Sequence, residues 1–327
     1  MNASRISDDL RPYFDYEIPQ AVKRMLANPI MNQMITFGFG ADCVADIRTA
    51  LMGVRSADDF QHVFVKPMLE NIIARTSSGF TTDGLQYISP LCGHLFISNH
   101  RDIVLDGALL QLLLLCAGMP TSEITFGSNL ISSPFVEDFG RSNKMYKILR
   151  EGSGRDLVRN SMLLSQHIHN VVDAGGSIWI SQRDGRTKNG HDKTDQGLIK
   201  MLTLDGRKNP LQAISKLNII PFAVSYEYES CDALKAREIY MRRRGAYVKA
   251  PGEDMRSILQ GSCLKKYRRP YWRFIFLMAT RSFFISIKTA KSAWHMAHTA
   301  TFKTKAFIRS PALWATRTAI NAASPRS

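Results

Sequence analysis

LFISNHRDIVLDGALLQLLLLCA, residues 95–117, is the stretch on which the fold turns. Its first four residues, LFIS (95–98), form a short apolar run that stops at two polar residues, as a buried strand does. From Val104 to Ala117 the chain is apolar at nearly every position, long enough for about four turns of helix and apolar enough to be buried all round. Strand, polar turn and buried helix together make the unit from which α/β domains are built.

The alternation continues downstream. EITFGS (123–128), SIWIS (177–181) and IIPFAVSY (219–226) predict three more strands. Between them, Ser153 can cap a helix that carries Leu157, Leu164, Ile168 and Val172 and closes at Gly175–Gly176. The expected fold over 86–260 is therefore α/β, a mostly parallel sheet flanked by helices. Sites in such sheets lie where strands end and helices begin. Residues 1–85 read as an N-terminal helical region, a layer or lid. Apolar residues recur there at helical spacing (Ile18, Val22, Met25, Leu26, Ile30, Met34, Ile35). Pro29 breaks or kinks that run, Ser56 can cap a second segment, and Pro67 marks a bend.

The chain has 327 residues and a formal net charge of +15. That charge is not spread evenly. From Met255 to Ser327 there are 14 Lys+Arg and no carboxylate, whereas the first 254 residues hold 29 basic and 28 acidic groups. Three of the four Trp (Trp272, Trp294, Trp314) also lie in the basic stretch. Lys and Arg interleaved with Trp and Phe suit an anionic membrane surface, so residues 261–327 are expected to be a peripheral anchor or disordered. A frameshifted reading of the gene would also give such a tail, which inspection of the other frames tests. Specific nucleic-acid binding is not expected of the near-neutral body. Five Cys without a CxxC pair favour a reduced compartment. MNASRISDDLRPYF lacks the apolar core of a signal peptide. The longest apolar run, around 108–118, falls short of the roughly 20 residues that cross a bilayer.

Three segments carry unusual chemistry. In SNHRDIVLD (98–106), His100 follows a strand directly, with Asp102 and Asp106 close behind. A neutral imidazole is a good base near neutrality, and a carboxylate can fix its tautomer and stabilise its cation. The plain alternative is a turn histidine satisfied by backbone. QRDGRTKNGHDK (182–193) places Arg183, Arg186, Lys188 and Lys193 among glycines, which suits a phosphate or simply a solvated loop. FGRSNKMYKILREG (139–152) adds Arg141, Lys144, Lys147 and Arg150. HRD (100–102) and DFG (138–140) mimic protein-kinase motifs, but position 107 is Gly where a kinase needs Asn, and no phosphate-covering loop precedes them. No metal site is expected: His167 and His169, two apart on a helix, point away from each other.

Together these segments resemble four ordered blocks of the phospholipid/glycerol acyltransferase superfamily. FISNHRDIVLD resembles an N-H-x(4)-D block, YKILR (146–150) an F-x-I-R-R block, and IWISQRDGRTKNG an F-x-E-G-G-R-S-R-T-G block. IIPFAVSYE resembles I-V-P-V-x-I-x-Y-E, with Pro221, Tyr226 and Glu227 aligned. The resemblance implies transfer of an acyl group from acyl-CoA or acyl carrier protein to glycerol 3-phosphate or 1-acylglycerol 3-phosphate. It implies His100 as base with Asp106 or Asp102 as its partner, and Asn99, Arg150, Gly185, Arg186, Lys188 and Pro221 as substrate-binding residues. No cofactor beyond the thioester donor is implied. The implied location is cytoplasmic, peripheral to the membrane. Two positions depart from the pattern. Leu105 stands where the family has Asp, with Asp106 one residue later, about 100° further round a helix. Arg183 stands where the family has Glu, unless Asp184 substitutes through a shift. Two other readings stay open: a non-catalytic lipid- or nucleic-acid-binding module using the tail, or an acyltransferase with a non-phosphate acceptor. The apolar helix 109–118 either lines an acyl channel or is simply buried.

Overall fold

The computed structural model describes residues 8–77, 79–150, 152–205, 209–226, 231–250, 252–253, 256–257 and a strand at 273–278. Glu227, Cys263 and the rest of the basic stretch lie outside the described residues.

Helices α1 (Ile18–Ala27), α2 (Pro29–Phe39), α3 (Val44–Met52), α4 (Ala57–Phe60) and α5 (Lys66–Thr76) come first. Pro29 does separate two helices. Asn28 caps the second of them, its side chain accepting from the Ile30 amide at 3.0 Å. Ser56 caps α4 reciprocally with Asp59. One π-helical turn, Gln61–Val65, leads into α5 with Pro67 at its start, so the bend arises from this turn as well as from the proline. The same N-terminal region also holds a strand that periodicity did not indicate, β1 (Gly79–Asp83).

The remaining elements are β2 (Leu95–Ser98), α6 (Leu105–Cys116), β3 (Glu123–Gly127), α7 (Pro134–Ser142), β4 (Met145–Ile148), α8 (Gly154–Asp173), β5 (Ile178–Ser181), α9 (Gln196–Leu202), α10 (Pro210–Lys216), β6 (Ile220–Tyr226), α11 (Asp232–Arg243) and β7 (Arg273–Met278). One sheet takes the order β1-β7-β6-β2-β5-β3-β4. The block β6-β2-β5-β3-β4 is parallel throughout. β7 runs antiparallel to β6 and parallel to β1. The fold is thus α/β with a mostly parallel sheet. Six residues of the stretch read as a tail, Arg273–Met278, are part of that sheet.

Side chains of β2 alternate between two covered faces, so all four residues are buried. Phe96 joins Trp179, Phe222 and Val224 beneath α6. Leu95 and Ile97 join Ile178, Ile180 and Tyr146 beneath α8 and α9. α6 lies so close that a Cβ at Gly107 would come within 3.2 Å of the Trp179 ring. The outer side of α6 is covered in turn, since Leu112 packs among Phe60, Phe64, Ile18 and Ile35 of the N-terminal helices. Each such side chain contributes about 1.5–3 kcal/mol on burial. The helix is therefore a buried layer of the core from Leu109 to Leu114, and its C-terminal end at Cys116 is exposed. Asp138, the acid of the DFG triplet, anchors α1 by pairing with Arg24 at 2.6 Å. It also accepts from Tyr13, whose phenol burial, aided by this bond, pushes up to about 12.

Candidate active site

Four parallel strands end at one edge of the sheet, and three of them lead into candidate residues. β2 leads into His100, β4 into Arg150, and β5 into the loop with Gly185, Arg186 and Lys188; β3 ends at Gly127. A cavity of about 270 Å³ opens there, lined by all five of these candidate residues together with Trp179 and Asp184. The helix α11 adds Glu238 and Arg242 to the wall, and Lys249 follows from the chain beyond it.

The His100 ring is held by the carboxylate of Asp106. Its Nδ1 lies 3.1 Å from Asp106 Oδ2, and the Asp106 side chain is wholly buried. The same oxygen accepts from the amides of Arg101 (2.7 Å) and Asp102 (2.9 Å). Oδ1 accepts from the Tyr226 hydroxyl at 2.8 Å. Backbone amides can only donate, so Oδ2 acts as an acceptor, and the imidazole meets it with Nδ1–H. Nε2 then keeps its lone pair.

Asp102 is used differently. Its Oδ1 accepts from the amides of Val104 and Leu105, which begin α6. Helix α6 starts only at Leu105, so Asp106 sits in its first turn and swings under the imidazole.

Asn99 and Pro221 are not among the cavity-lining residues. Both ends of the Asn99 amide are engaged by one residue of the neighbouring strand: Nδ2 donates to the Val224 carbonyl (2.9 Å) and Oδ1 accepts from its amide (2.8 Å). Asn99 thus extends the β2–β6 ladder past Ser98. Pro221 is buried within β6 opposite Ile97, before the β7 pairing begins. A missing N–H does no harm there.

Three of the cavity's cations pair with carboxylates. Arg150 pairs with Asp184. Lys188 Nζ lies 2.8 Å from Glu238 Oε2, and Arg242 Nε lies 3.0 Å from Glu238 Oε1. Arg183 points elsewhere, with its Nε 3.9 Å from the buried Asp192. The acid of this loop that lines the cavity is therefore Asp184. Sequence reasoning missed Glu238, Arg242 and Lys249, which follow the last strand of the parallel block with no motif to flag them.

Two further cavities are larger. One of about 610 Å³ lies beside α8 and α10, and the His169 in its wall is turned to the Leu202 carbonyl at 3.1 Å. The other, about 420 Å³, adjoins the site under α11. His167 and His169 do diverge, since His167 Nε2 meets Glu123 at 2.6 Å. Among the described residues no group of three or more metal-ligating side chains converges. No helix of the described residues is long and apolar enough to cross a membrane.

No protein-family model matches the chain, and no curated protein matches it. Among solved structures it is similar to the crystal structure of the 1-acyl-sn-glycerophosphate (LPA) acyltransferase PlsC from Thermotoga maritima. The match has 11% identity and a TM-score of 0.44, covering 90% of this chain and 97% of that one. At that identity and TM-score the likeness assigns no chemistry to this chain.

Proposed function

We propose that this protein is an acyltransferase that moves an acyl group from a thioester to a hydroxyl of a phosphorylated glycerol. The observation that carries this reading is the cavity itself. An imidazole backed by a buried carboxylate faces the same space as Arg150, Arg186 and Lys188.

His100 Nε2 takes the proton of the acceptor hydroxyl as its oxygen attacks the thioester carbonyl. Asp106 holds the ring and stabilises the imidazolium. Collapse of the adduct expels the donor thiolate, which leaves with that proton as a thiol. The thioester is already activated, so no covalent enzyme intermediate and no cofactor is required. Arg186 binds the acceptor phosphate by charge-assisted hydrogen bonds, and Lys188 and Arg150 do so on exchanging Glu238 and Asp184 for the phosphate. Acyl-CoA or acyl carrier protein is the donor, and glycerol 3-phosphate or 1-acylglycerol 3-phosphate the acceptor. A lipid acceptor places the protein at the cytoplasmic face of a membrane, where the basic stretch favours anionic lipid.

Thioester consumption with each acceptor and several donors tests the reading. No turnover in any combination would favour a non-catalytic binding module. Arg186→Ala is expected to raise the acceptor KM by about 10- to 100-fold, the worth of a hydrogen bond to a charged group. A change confined to the donor KM would move Arg186 to the other substrate.

A further inference from the structure

The loop 182–195 faces two ways. Gly185, Arg186 and Lys188 line the cavity. The same loop also grips the backbone of the base. The Thr187 amide donates to the His100 carbonyl at 2.8 Å, and the His100 amide donates to Asp192 Oδ2 at 3.0 Å. Both polar groups of the His100 backbone are therefore fixed by the loop, while Asp106 fixes its ring.

Asp192 is a costly choice for this task. Its side chain is 1% exposed. Its second oxygen, Oδ1, makes no hydrogen bond and has Arg183 Nε at 3.9 Å. An uncharged acceptor would satisfy the same amide with less desolvation. The carboxylate and Arg183 together tie the far end of the loop to its beginning, and they enclose the cradle residues 185–188 between them.

We propose that Asp192 is a positioning residue that couples occupancy of the Gly185–Lys188 cradle to the placement of His100. The proposal rests on the acyl-transfer reading for its kinetic consequence. An anion seated on Arg186 and Lys188 fixes the segment that contains the Thr187 amide. Asp192 closes the same loop on the other side of the His100 peptide. The acceptor phosphate then contributes to turnover as well as to binding, because binding energy from a remote group is used to orient the reacting one.

Asp192→Ala is expected to lower kcat by about 10- to 100-fold, the scale of a misplaced catalytic group, with the acceptor KM changed far less. Asp192→Asn retains an oxygen for the His100 amide and should keep most of the rate. A second readout needs no turnover. Millimolar inorganic phosphite, added without any acyl donor, should slow backbone hydrogen exchange over 98–106 in the wild-type protein. It should also do so in Asp192→Asn, but not in Asp192→Ala. Wild-type kcat in Asp192→Ala, a loss confined to KM, or exchange over 98–106 that ignores phosphite would each overturn the proposal. If the wild type transfers no acyl group, the functional reading fails, and the exchange experiment still decides the coupling.

Discussion

His100→Ala is expected to abolish acyl transfer while leaving the protein folded. General-base catalysis is worth about 10²- to 10⁴-fold, and the two carboxylates in the cavity wall, Asp184 and Glu238, are already paired with Arg150, Lys188 and Arg242. The fold survives because the imidazole is not what satisfies Asp106. With the ring removed, Oδ2 still accepts from the amides of Arg101 and Asp102, and Oδ1 from Tyr226. The variant should therefore keep the wild-type circular dichroism and melting temperature while thioester consumption falls to background. Turnover retained in a purified, folded variant would remove His100 from the mechanism.

The second large effect separates two aspartates four residues apart. Asp106→Asn is expected to lower kcat by about 10²- to 10⁴-fold, since the base loses the charge that stabilises its cation. The geometry can persist: an amide oxygen can replace Oδ2 before its three donors, and the amide nitrogen can donate to the Tyr226 hydroxyl. Asp102→Asn should stay near the wild-type rate, because Asn and Asp serve alike where a side chain accepts from the amides of a helix start. Asp102→Ala is expected to show in the melting temperature instead, at about 1 kcal/mol. Steady-state kinetics and thermal melts on the three proteins check this. Full rate in both Asn variants would end the His–Asp assignment.

The parallel block was largely legible in the sequence because its strands are short apolar runs cut off by polar residues. LFIS is β2 to the residue. β1 and β4 carried no such signal: GFTTD is half polar, and MYKI alternates without an apolar run. The cations Arg150, Arg186 and Lys188 were reached only through the family resemblance, because on their own the two basic segments read equally well as solvated loops. The choice between Asp102 and Asp106 was not legible. It depends on where α6 starts, and that is set by two hydrogen bonds from its first amides to Asp102. Asn99 looked like a ligand because it precedes the histidine, yet its partner is 125 residues away on β6. The bond from Tyr226 to Asp106 spans 120 residues and appears only once β6 pairs with β2. No local pattern reports contacts of that range.

β7 gives the basic stretch a different standing. It pairs with β6 from Phe222 to Tyr226, and Tyr226 is the residue whose hydroxyl steadies Asp106. The strand is thus one neighbour removed from the buried Asp106, and among the described residues it bridges β1 to the parallel block. A boundary drawn at residue 260 would not detach an appendage. It would unzip β1, strip β6 of its partner along an open edge of the kind that invites aggregation, and loosen the strand from which the histidine's acid is held.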